Sequence, residues 1–227
     1  MGLEEDQERS DILPHSIKMT DSHAAVLALV DPSERVLLCK RAKDLRTHPG
    51  EVCLPGGKVE EEDETLEATA LRESHEEVGI DSNGVNVKYQ MEPISSLAGI
   101  WVHAVVAKTQ ETDPPLILNH DEVDRTAWIP LEHFLSDKYH NAFKYGTYTV
   151  HGFRLPQFYV YGLTANLCVL IAMRELQRAP QFDLNDEMTK EKMANLSISE
   201  ILERFYVYYY DHVRPGERGK GKFKGKL

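Results

Sequence analysis

The chain has 227 residues, 41% hydrophobic and 28% charged, the composition of an ordinary soluble globular protein with room for one sizeable core. A formal net charge of −11 excludes general nucleic-acid binding, because phosphate affinity rests on clustered Lys and Arg. No apolar run reaches the roughly 20 residues of a membrane-spanning helix, and the acidic start MGLEEDQERS has no apolar core for a secretory signal.

In chain order, residues 24–30 (AAVLALV) and 35–40 (RVLLCK) read as two buried strands joined by a turn at Asp31-Pro32-Ser33. Pro49, Pro55 and the Gly56-Gly57 pair mark residues 50–57 as loop. Residues 65–78 are a predicted helix. Leu66, Ala70, Leu71 and Val78 recur at three- and four-residue spacing, and Gly79 supplies the stop. Strands are expected at 99–107, 115–118 and 126–129, with a short helix from Pro130 to Phe134. A hairpin centred on His151-Gly152 is expected over 147–160. Thr164 is read as the N-cap of a helix ending before Pro180, and Ser197 with Glu200 as a capping box for a last helix over 198–213. The pattern predicts an α/β fold, a three-layer α/β/α domain over residues 20–213 with an extension at 1–19 and a basic tail at 214–227. The three cysteines, Cys39, Cys53 and Cys168, show no ligand spacing and read as buried thiols in a reducing interior.

The segment LPGGKVEEEDETLEATALRESHEEVGI, residues 54–80, carries the chemistry. On a helix Glu73, Glu76 and Glu77 fall at i, i+3 and i+4, so three like charges share one turn and call for a cation. Hard oxygen donors suit Mg²⁺ or Mn²⁺, and Arg72 stands four residues before Glu76, in reach of its carboxylate. A solvated acidic surface helix is the alternative reading of the spacing. His75, offset by one residue, faces away from Glu73 and Glu77.

The run Gly57, Glu64, Arg72-Glu73, Glu76-Glu77 and Gly79-Ile80 resembles the box of the Nudix hydrolase superfamily. Six residues separate Gly57 from Glu64 where that family usually has five, so Asp63 is an alternative for the first acidic position, and Ser74 replaces an aliphatic residue. The resemblance implies a mixed sheet with a loop-helix-loop metal site, Glu73, Glu76 and Glu77 as ligands, and hydrolysis of a diphosphate in a nucleotide-containing substrate. Glu77 and Glu122, the latter in NHDEVDRTAWIPL, are the candidates for the general base.

Upstream, Arg41-Ala42, Arg46, Gly50 and Pro55-Gly56-Gly57 resemble the motif of the coenzyme A diphosphatase branch, with Leu54 for a usual Phe and Cys39 for a Thr. Tyr161 to Leu170 is similar to a further stretch of that branch. The resemblance implies coenzyme A or its thioesters as the small-molecule substrate, with Arg41 or Arg46 gripping the 3′-phosphate and Gly50, Gly56 and Gly57 allowing close approach. Alternatives are another nucleoside diphosphate derivative (ADP-ribose, NADH or a dinucleoside polyphosphate) and an inactive nucleotide-binding module. The aromatic run Phe205 to Tyr210 reads as helix packing, with an acyl channel as the alternative. Gly225-Lys226-Leu227 is similar to a peroxisomal signal with Gly in place of Ser, so the expected location is the peroxisome, through its import receptor, with the cytoplasm as alternative.

Overall fold

The structure is a computed structural model that describes residues 22–96, 98–145 and 148–212. The expected N-terminal extension, the basic tail and the Gly225-Lys226-Leu227 signal lie outside the described residues.

Near-continuous apolar runs form the two central strands, β1 (His23–Val30) and β2 (Arg35–Arg41). Short strands β3 (Val52–Cys53) and β4 (Gly56–Lys58) lead to helix α1 (Leu66–Val78). Then come β5 (Val85–Gln90), β6 (Ile94–Ser95), β7 (Trp101–Thr109) and β8 (Val123–Pro130). The chain continues through β9 (His140–Tyr145), β10 (Tyr148–Arg154), β11 (Tyr159–Tyr161), α2 (Gly162–Leu176), α3 (Lys190–Met193) and α4 (Ile198–His212).

The main sheet runs β3-β2-β1-β7-β5, with β4 also on β1, β6 on β7 and β8 on β2. β1 and β7 are parallel along their whole length and the other pairs are antiparallel, so the sheet is mixed. Both faces of β1, β2 and β7 are buried because alternate side chains enter different cores. Ala25, Leu27, Leu29, Leu37, Val105 and Ala107 pack with Ala70 and Val78 of α1. Ala28, Val30, Leu38, Ala104 and Val106 pack with Leu167 and Ile171 of α2 and Ile201 and Phe205 of α4. This two-sided burial gives the expected α/β/α layering, and each large side chain removed from water contributes roughly 1.5–3 kcal/mol.

Local chemistry sets the ends of α1. Thr65 caps it by accepting from the Ala68 N–H at 3.0 Å, and Gly79 closes it in the left-handed region with its N–H on the His75 carbonyl. The expected box on α4 is present: the Ser197 N–H donates to Glu200 at 2.8 Å and the Glu200 N–H returns to Ser197 Oγ at 3.3 Å.

Several expectations are corrected. Residues 115–118 are not a strand. The Ile117 and Asn119 N–H groups donate at 3.0 Å to the Val78 and Glu77 carbonyls, so this extended segment satisfies the free end of α1 instead of a sheet edge. His151-Gly152 is not a turn but the middle of β10, in a three-stranded antiparallel sheet ordered β11-β10-β9. Gly152 is needed there because a Cβ would stand 2.7 Å from the Tyr159 hydroxyl. Thr164 is not the N-cap of α2, which starts two residues earlier as β11 runs directly into it. Residues 50–57 are not all loop: β3 and the start of β4 interrupt them.

The inner face of the three-stranded sheet holds a buried histidine pair. His140 Nε2 lies 2.8 Å from His151 Nδ1, and His151 Nε2 donates to the Leu184 carbonyl at 2.9 Å. Burial holds both imidazoles down to about 4. Both are therefore neutral in the fold at pH 7 and must charge on unfolding in acid. Their contribution is full above about pH 6.5 and is lost as pH falls toward 4. We expect the denaturant midpoint to fall between pH 7 and pH 5, with roughly 2 kcal/mol of that loss from His151. His151→Asn should flatten that pH dependence; an unchanged slope would show that the pair does not set it.

Candidate active site

The Gly56-Gly57 step brings the carboxylate helix against the sheet. Gly56 adopts φ +146°, and a Cβ on it would lie 2.4 Å from the Ala25 carbonyl oxygen. A Cβ on Gly57 would lie 2.4 Å from the Glu73 carboxylate. Only a chain without side chains here lets β4 fit between β1 and the acidic turn of α1.

Glu77 is the most enclosed of the three helix carboxylates, 3% exposed, accepting at 3.1 Å from the Gly56 N–H and lying 3.7 Å from Arg41 Nη1. Burial pushes it up to about 7, against the Gly56 N–H and Arg41, and Glu122 and Glu73 push the same way as burial. Burial likewise raises Glu73, although Arg72 Nη1 donates to it at 3.1 Å; Glu76 and Glu122 raise it further. Glu76 is more exposed and shares the same Arg72 nitrogen at 3.4 Å. Glu122 lies near enough for its charge to act on both Glu73 and Glu77, and the Asn119 amide donates to it at 3.2 Å.

Arg72 is held in turn by Asp63 through two bonds of 2.9 and 2.8 Å, and Thr69 and the Glu60 N–H also donate to that carboxylate. Those bonds keep Asp63 well below the usual carboxylate range. Glu64 is exposed, so the structure gives the arginine to Asp63, the alternative the sequence left open. His75 turns away as expected, its Nδ1 3.0 Å from the Ile80 carbonyl.

Arg41 reaches the site; its Nε is buried without a partner. Arg46 and Gly50 stand on the loop between β2 and β3, Arg46 exposed and Gly50 at φ +70° with open space around it. Asn119 was not visible as a site residue in the sequence. It bonds the end of α1 through its N–H, accepts from the Glu122 and Val123 N–H groups, and so fixes the loop that carries Glu122.

The donor set is oxygen only, which fits a hard divalent cation. Glu73, Glu76, Glu77 and Glu122 stand with two guanidinium groups, and burial raises Glu73 and Glu77, with neighbouring carboxylates acting in the same direction. Among the described residues no three His, Cys, Asp or Glu side chains are already gathered as ligands, since Arg72 holds Glu73 and Glu76 while Glu77 is turned to Gly56.

Residues 19–149 match the NUDIX domain. The chain belongs to the Nudix family. It is 36% identical over 201 residues to the peroxisomal coenzyme A diphosphatase ndx-8 of Caenorhabditis elegans, covering 86% of this chain and 82% of that protein. It is 36% identical to the mitochondrial Nudix hydrolase 15 of Arabidopsis thaliana, over 67% of this chain and 56% of that one. The Nudix hydrolase NudL of Yersinia pestis is 34% identical over 69% of this chain and 82% of its own. Among solved structures, the MutT protein of Methanosarcina mazei aligns with 53% of this chain and 84% of its own at 26% identity and a TM-score of 0.42. The Nudix assignment and the mixed-sheet α/β fold thus agree with the sequence reading.

Two pairs of substitutions separate these contacts. Gly56→Ala meets backbone and should lower stability by about 1–3 kcal/mol, whereas Gly57→Ala meets the movable end of Glu73 and should keep the fold while impairing the site. Asp63→Asn, which weakens the hold on Arg72, should lower stability by roughly 1–3 kcal/mol, and Glu64→Gln should stay within about 0.5. Denaturant titration of the four variants checks both; a costly Glu64→Gln beside a silent Asp63→Asn would reverse the assignment.

Proposed function

We propose that this Nudix hydrolase cleaves the diphosphate of coenzyme A or its thioesters, adding water to give 3′,5′-ADP and 4′-phosphopantetheine or, from a thioester, its S-acyl form. One observation carries the reading: the coenzyme A-type segment and the helix that follows it meet at one carboxylate. Arg41 and Gly56, both in the coenzyme A-type segment, contact Glu77 of the carboxylate helix. The name of the Caenorhabditis elegans relative supports the same substrate.

Glu73, Glu76 and Glu77 would hold Mg²⁺ or Mn²⁺, which when bound neutralises the diphosphate and acidifies water. The residues of the chain supply the rest. Arg41, beside Glu77, pairs with a diphosphate oxygen, and the exposed Arg46 serves the 3′-phosphate. Glu122, whose carboxylate accepts from the Asn119 amide, and Glu77 are the two candidate bases to take a proton from the attacking water. Arg72 keeps Glu73 and Glu76 together. Gly50 and the Gly56-Gly57 pair leave room for the backbone to approach the phosphates.

A peroxisomal location, with recognition by the import receptor, is proposed on the relative's name. Among the described residues no helix is long and apolar enough to cross a membrane.

The test is product analysis with coenzyme A and with ADP-ribose, each with Mg²⁺ or Mn²⁺ or after chelation. Release of 3′,5′-ADP should require metal and fall by at least about 100-fold in Glu77→Gln. Turnover of ADP-ribose without coenzyme A would overturn the substrate while keeping the chemistry; silence on both would favour an inactive binding module.

A further inference from the structure

The outer face of the three-stranded sheet borders the candidate active site. β11 lies beside β3, and Tyr161 at its end reaches the Glu51 carboxylate. The Glu51 carbonyl accepts from the Arg41 N–H at 2.9 Å, and Arg41 touches Glu77. Tyr161 is thus connected to the acidic turn of the site through Glu51 and Arg41.

This face is built. Tyr159 and Tyr161, two residues apart on β11, point to the same side, with ring centroids 5.5 Å apart and planes inclined by 25°. The Arg154 guanidinium lies over Tyr159 at 5.1 Å. The Asn141 amide donates to the Tyr159 hydroxyl at 3.2 Å, and Gly152 supplies the space in which that ring lies across β10. The opposite face, with His151, Phe153 and Val160, is fully packed into the core. Both tyrosines remain partly exposed, Arg154 is exposed, and exposed Arg46 and His48 stand on the adjoining loop.

A cation flanking a pair of parallel, partly exposed rings is the arrangement that stacks a nucleobase beside its phosphates. We propose that Arg154, Tyr159 and Tyr161 form the platform for the purine base of the substrate, directing its nucleotide half over β11 and its other half away from it. This rests on the diphosphate-cleaving reading above and adds the direction in which the substrate lies.

Calorimetric binding of 3′,5′-ADP, AMP, ribose 5-phosphate and 4′-phosphopantetheine to the full chain tests it. Tyr161 makes no side-chain cap bond to α2, so Tyr161→Leu should spare the fold. It should weaken 3′,5′-ADP and AMP by about 10-fold or more, with Tyr161→Phe restoring affinity and 4′-phosphopantetheine unchanged. Arg154→Ala, at an exposed position, should weaken both nucleotides by about threefold. For coenzyme A turnover, Tyr161→Leu should raise KM with little change in kcat. Unchanged nucleotide binding in Tyr161→Leu, equal weakening of all ligands, or wild-type binding no stronger for AMP than for ribose 5-phosphate would each overturn the platform. Should the wild type cleave ADP-ribose and not coenzyme A, the substrate reading fails, while selective loss of AMP binding in Tyr161→Leu still upholds the platform.

Discussion

The mutual repulsion of Glu73, Glu76 and Glu77 on one turn of α1 is the constraint around which the rest of the molecule is arranged. Each like-charged pair at this spacing weakens an isolated helix by a few tenths of a kcal/mol, and enclosing Glu77 adds a larger desolvation penalty. Offsetting terms come from several elements. The apolar side of α1 buries Ala70 and Val78 against the sheet, Thr65 and Gly79 cap its ends, and Arg72 spans Glu73 and Glu76 while Asp63 holds it in place. Arg72 and Arg41 are the cations set against this acidic turn.

The two faces of the sheet divide the work. The face under α2 and α4 carries the larger apolar cluster, and Tyr206, Tyr209 and Tyr210 of α4 belong to it or pack against it. Tyr209 and Tyr210 donate to the Ser95 and Pro93 carbonyls, and Tyr210 meets Trp101 edge-on, so this run ties the last helix to the core and is not an acyl channel. The face under α1 is smaller, and at its rim the loops after β2 and before β8 meet. The Ala42 N–H donating to the Glu122 carbonyl at 2.8 Å links those two loops directly. Rigidity on one face supports precision on the other.

What was legible in the sequence was local. Helix α1 and the box on α4 announce themselves through periodicity and caps within a few residues, and the strands of the core through runs of aliphatic residues. The errors concern residues whose partners are distant. Gly152 reads as a turn because the tyrosine that needs its missing side chain lies on the next strand. Leu116, Ile117 and Leu118 form an apolar run like a strand, yet the Ile117 and Asn119 N–H groups go to helix carbonyls. β5 escaped notice because its side chains alternate only between half-buried and exposed and its register slips between Val87 and Tyr89. The choice between Asp63 and Glu64 turns on one residue of spacing, which only the position of Arg72 decides.

The positive charges of the site show a similar division, and here the geometry goes beyond the motif. The sequence makes Arg41 and Arg46 equivalent candidates for one phosphate. The fold separates them: Arg46 stays on an exposed loop, while Arg41 is drawn inward to Glu77 with its Nε buried and unpaired. An unsatisfied buried donor costs about 1–3 kcal/mol, more when it belongs to a charged group. A fold that only needed to balance Glu77 would have closed that contact at hydrogen-bonding distance, yet the nearest approach is 3.7 Å. Arg41 and Glu77 are a cation and an anion held 3.7 Å apart, and Arg41 acts against the burial that raises Glu77. Arg41 therefore keeps hydrogen-bonding capacity that Glu77 does not use, which is the property the proposed diphosphate site requires of it.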